Sequence, residues 1–97
     1  MSYRVDPKEF LIVEYGSAPP TGSVAYAFHA SGSVNSYLVG HHGVRAIDND
    51  ERNIPAFVSV KNSNEHEVSA VVPPRSKWYV AIFNNESSPV TVEFEDE

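Results

Sequence analysis

The stretch "VPPRSKWYVAIFNNESSPVTVEF", residues 72–94, decides the fold. In an extended chain Trp78, Val80 and Ile82 fall on one side and Tyr79, Ala81 and Phe83 on the other, so "KWYVAIF" reads as a strand that is apolar on both faces and central to its sheet. "NNESS" supplies a hairpin corner, because Asn tolerates left-handed backbone and Ser accepts local hydrogen bonds. Pro89 opens "PVTVEFE" where a missing amide is harmless. Pro73 and Pro74 end the preceding strand, and "RSK" makes the crossover.

Working outward, turn residues recur roughly every eight to twelve positions, the rhythm of short antiparallel strands. "FLIVEY" (Phe10–Tyr15) is stopped by Gly16, Pro19, Pro20 and Gly22. "SVAYAFHA" sets Val24, Tyr26 and Phe28 against Ala25, Ala27 and His29 with a period of two, and "SGS" (Ser31–Ser33) is expected to turn the chain into a further strand, "VNSYLVG". "AFVSVK" and "HEVSAVV" read as two strands split by the polar turn "NSNE". Between them and "VNSYLVG", Asp48 and Glu51 have capping-box spacing, and Pro55 forbids a long continuation, which predicts one short helical turn at about residues 49–53. The expectation is a single all-β domain over residues 1–97: an antiparallel β-sandwich of about seven strands, jelly-roll or Ig-like, with a partly closed barrel as the alternative.

Composition narrows the function classes. Ninety-seven residues give room for one core, and with no cysteine neither disulfides nor thiolate metal sites brace it. The net charge of −6, with only seven scattered Lys and Arg, argues against nucleic acid and anionic membranes. The apolar run Phe10–Val13 is far shorter than a signal peptide or a membrane span requires. A cytoplasmic location is therefore expected, or an extracellular one if a leader has been removed, with no membrane insertion.

No pattern for catalysis or metal binding emerges. His41 and His42 in "GHHG" are the most tempting ligands, with His29, His66 and Asp48 as candidate companions, but the spacing matches no zinc motif and an exposed polar turn is the expected reading. "DNDERN" alternates carboxylates at Asp48 and Asp50 as a calcium loop does, yet Arg52 occupies a ligand position and no Gly permits the sharp turn. Without a nucleophile elbow or a catalytic cysteine, no enzymatic activity is expected, and no cofactor or metal. "NES" (Asn85–Ser87) fits a glycosylation acceptor but reads as hairpin-corner chemistry.

Three stretches carry a family resemblance. "SVAYAFHASGSVNSYLV", "HEVSAVVPPRSKWYVAIFNN" and "SSPVTVEFE" resemble the GOLD and bacterial pre-peptidase C-terminal group of β-sandwich domains, over roughly residues 10–95. One departure stands out: the turn that usually holds Gly in that group reads "PPRSKW", with Arg75 and Ser76 in its place. The resemblance implies an accessory or interaction module, with no catalytic residue to carry over. The expected function is protein–protein association, including self-association through an aromatic sheet face or an unprotected edge strand. The alternative is a small-ligand or carbohydrate-binding module. Tyr37, Arg75, Lys77, Trp78 and Tyr79 form the expected interaction surface, because aromatic rings beside cations suit peptides and sugars.

Overall fold

A computed structural model describes residues 2–95. Asp96 and Glu97, the end of the acidic "EFEDE" tail expected to be a solvated strand end, lie outside the described residues.

The fold is all-β and antiparallel. Its elements are β1 (Ser2–Val5), β2 (Phe10–Ser17), β3 (Ser23–Val39), α1 (His41–Asp48), β4 (Val58–Val71), β5 (Lys77–Asn84) and β6 (Val90–Glu95). The strands form one sheet in the order β1-β6-β3-β5-β2, with β4 on the other side of β3. Among the described residues six strands stand where about seven are expected, for two reasons. "SVAYAFHA" and "VNSYLVG" are a single strand, and so are "AFVSVK" and "HEVSAVV", while Ser2–Val5 adds a strand that its short mixed pattern does not announce.

The long β3 organises everything else. Its first half pairs with β6 (Ala27↔Glu95 to Ala30↔Val92), and its second half pairs with β5 (Val34↔Asn84 to Val39↔Tyr79). "SGS" lies at the exchange. Ser31 and Ser33 do not reverse the chain but bend it, held by Thr91 N donating to Ser31 Oγ (2.9 Å) and Ser33 N donating to Glu86 Oε2 (2.9 Å). Because of that bend the sheet curls until its two halves face each other. Tyr15 of β2 meets Phe94 of β6 at 6.0 Å between ring centroids, although those strands are not neighbours in the sheet.

Between the halves lies the main core. Val24, Tyr26, Phe28, Val34 and Leu38 of β3 meet Val68 of β4, Trp78, Val80 and Ile82 of β5, and Val90 and Val92 of β6. Each large side chain taken out of water here stabilises the fold by about 1.5–3 kcal/mol. The polar groups inside are paired. Tyr26 Oη and Ser36 Oγ share a hydrogen bond of 2.9 Å. Asn84 Nδ2 donates to the carbonyls of Val5 (3.0 Å) and Ser88 (2.9 Å), and its Oδ1 accepts from Glu86 N (2.7 Å), tying β1 and the hairpin corner to β5.

A second, smaller core covers the outer face of β5 and β3. Tyr37, Val39 and Ala81 are buried there, with Phe10, Ile12, Tyr79 and Phe83 partly covered and Val44 and Ile47 of α1 packed over them. This helix corrects two expectations. "GHHG" is its first turn rather than a loop, and residues 49–53 follow its end instead of forming a helical turn of their own. The Asp48–Glu51 pair therefore sits at a helix C-terminus, where Glu51 N donates to Ala46 O (2.9 Å). Gly43, a helix breaker in isolation, is required by the packing: a Cβ on it would lie 2.5 Å from the Cβ of Val39 and 2.6 Å from the Pro55 carbonyl oxygen.

Candidate interaction surface

β4 is built from alternating residues. Val58, Val60, Val68 and Ala70 pack on the main core, opposite Leu38, Ser36, Tyr26 and Val24 of β3. Ser59, Glu65, Glu67 and Ser69 lie opposite Tyr37, His29, Ala27 and Ala25 and face outward. The centre of β4 is irregular: the register slips between Val60 and Ser63 and again before Glu65, and Asn62 takes a positive φ of 52°. Three asparagines hold this bulge. Asn35 Oδ1 accepts from Asn62 N (2.9 Å) and from Asn85 Nδ2 (2.8 Å), and Asn85 Nδ2 also reaches Asn62 Oδ1 (3.2 Å).

Along its other edge β4 has no partner among the described residues, so an edge of fourteen residues offers its outward amides and carbonyls to water. The remaining edges are shorter. β1 has four residues, and β2 has eight with a bulge between Glu14 and Gly16. The β4 edge is also bracketed by apolar side chains: Val71 is 71% exposed at one end, and Phe57, just before the other end, is 46% exposed. Phe57 lies just outside the strand but is tied to β3, since its N–H donates to the carbonyl of Leu38 (2.8 Å), the residue opposite Val58.

The five residues expected to form one surface are spread over three environments. Trp78 is inside the main core at 6% exposure, its ring stacked on Tyr15 at 4.5 Å, so it takes no part in a surface. Tyr37 and Tyr79 belong to the outer cluster beneath and beside α1. Arg75 and Lys77 are exposed. Arg75 sits in the turn that follows Pro74, with φ of 62° and its N–H donating to Ala18 O (3.1 Å).

Tyr37 nevertheless borders a polar pocket of about 210 Å³, shared with Arg52, Asn53, Ile54, Ser59 and Lys61. Lys61 Nζ donates to Tyr37 Oη (2.7 Å) and lies 4.5 Å from the ring centroid. Of the histidines, His41 and His42 are neighbours on α1, 6.2 Å apart between rings, while His29 is on β3 and His66 on β4. Among the described residues no three His, Asp or Glu side chains converge as a metal site.

The sequence reading missed the continuity of β4 and with it the free edge. One signal was present: from Ala56 to Val72 the chain contains neither Gly nor Pro, and "NSNE" is polar without being a chain breaker. Comparison of the chain with protein-family models, with curated proteins and with solved structures gives no match.

Proposed function

We propose that the protein is a non-catalytic interaction module that associates with its own kind through the free edge of β4. The observation that carries this reading is the fourteen-residue edge, unpaired among the described residues and bracketed by exposed Phe57 and Val71. An added strand satisfies the outward backbone groups without any special motif, and apolar side chains at the ends supply burial. Lys61, Glu65 and Glu67 restrain indiscriminate pairing, which favours a partner of matching charge over open-ended aggregation. The resemblance to the GOLD and pre-peptidase C-terminal group supports the same class of function, since its members act in protein contacts, in targeting or as enzyme appendages. A chain without cysteine suits the reducing cytoplasm proposed as its location.

Light scattering tests the reading. An edge contact of this kind buries less than a standard interface, so mass is expected to rise from 10.7 kDa toward twice that value somewhere from about micromolar to about millimolar protein. A mass that stays at 10.7 kDa over that range rules the reading out.

A second reading, a small-ligand or sugar module, is favoured by one observation: the Tyr37 pocket gathers two cations, a phenol, a hydroxyl and an amide around about 210 Å³. Calorimetry with a panel of glycans and small oxyanions tests it. Binding that is lost in Lys61→Ala supports the module, and heats indistinguishable from dilution rule it out.

A further inference from the structure

We infer that the partner of β4 is the β4 of a second copy, related by a two-fold axis through Asn64. This inference rests on the edge-association reading and specifies the partner and register. Two-fold pairing of a strand with itself must be antiparallel, and in an antiparallel pair facing residues share one side of the sheet. The inward set of β4 (Val58, Val60, Val68, Ala70) must therefore face the inward set of its mate, or core residues would be turned to solvent.

Among registers that keep the sides matched, the one centred on Asn64 is distinguished by its residues. It places Val60 opposite Val68, Val58 opposite Ala70 and Ser59 opposite Ser69. Lys61 falls opposite Glu67, and exposed Phe57 opposite exposed Val71. By symmetry each of these contacts occurs twice. Centring on Glu65 instead sets two glutamates face to face and leaves Lys61 opposite Ser69. Centring on Ser63 pairs Lys61 with Glu65 but sets Val60 against His66 and Phe57 against Ser69. Only the Asn64 register of these three combines opposite charges with apolar pairs at both ends.

The backbone supports the same centre. Regular pairing with β3 spans Val58–Val60 and Glu65–Val71, and the irregular part lies between them around Asn62. A two-fold at Asn64 lays the first regular segment of each copy against the second regular segment of the other. The irregular centre then meets its own symmetry mate. Each copy extends the other's sheet, and Phe57 and Val71 leave water together.

Single cysteines test the register directly, because the chain has no thiol of its own. In a glutathione redox buffer, at a protein concentration where wild-type mass shows association, Asn64→Cys is expected to form covalent dimer at least tenfold faster than Ser69→Cys. Two Ser69 residues lie on opposite sides of the axis, so Ser69→Cys should link only when mixed with Ser59→Cys. Lys61→Glu and Glu67→Lys should each weaken association several-fold, and the double reversal should restore it. If the wild type associates but Asn64→Cys links no faster than Ser69→Cys, or the double reversal fails to restore association, the register is overturned while edge association stands. If the wild type remains monomeric, the edge-association reading fails and the register with it.

Discussion

Arg75 holds a backbone conformation that a side chain opposes. At φ of 62° its Cβ crowds the following carbonyl, a conformation in which glycine is at ease. Arg75→Gly is expected to raise stability by about 0.5–1 kcal/mol, after the greater freedom of the unfolded glycine is subtracted, measured as a shift in urea midpoint. Tyr26 offers a second residue-scale outcome. Burial raises its pKa above 10.0, and the hydrogen bond to Ser36 offsets this only in part. The neutral phenol is thus the form the fold prefers. Its contribution is fully present below the unfolded value and is lost as pH rises through the folded one, so the urea midpoint should fall as pH passes above 10. Tyr26→Phe should flatten that alkaline fall while costing about 1–2 kcal/mol at neutral pH, because Ser36 Oγ is left buried without its partner.

Helix α1 shows how an element is fixed by contact rather than by propensity. No side chain caps its N-terminus, and two glycines flank its histidines, so local signals point to a loop. The helix forms because Val44 and Ile47 cover Tyr37, Val39 and Ala81, and Gly43 lets its backbone close on β3. Gly43→Ala is expected to cost about 1–3 kcal/mol by levering the helix off Val39, read as a lowered urea midpoint. Period-two alternation in "KWYVAIF" and "PVTVEFE", and the proline-guarded hairpin between them, were legible because each signal is local. Lost were the two places where polar or small residues interrupt a pattern without ending a strand. "SGS" bends β3 because Thr91 and Glu86, distant in sequence, supply its hydrogen bonds, and "NSNE" stays in β4 because Asn35 and Asn85 pin Asn62. The candidate surface was misjudged for the same reason. Trp78 is expected in the interaction surface, whereas the structure buries it in the main core on the face it shares with Val80 and Ile82, and the edge opposite β3 is seen only once β3 and β4 are continuous.

At the scale of the molecule, one bent strand creates both the core and the exposed surface. By exchanging β6 for β5 along one side, β3 brings two half-sheets face to face, and β4 follows it along the other side across both halves. Among the described residues the other strand edges, those of β1 and β2, are shorter. The curl therefore leaves β4 as the longest unpaired strand edge among the described residues, flanked by the two large apolar side chains that remain exposed among them. Amide hydrogen exchange recorded at dilute and concentrated protein tests this account most directly. Outward-directed amides of Val58–Val71 are expected to gain protection as concentration rises, while those of β1 and β2 keep their dilute rates. Concentration-dependent protection confined to β1, β2 or α1, or none at all, would contradict it.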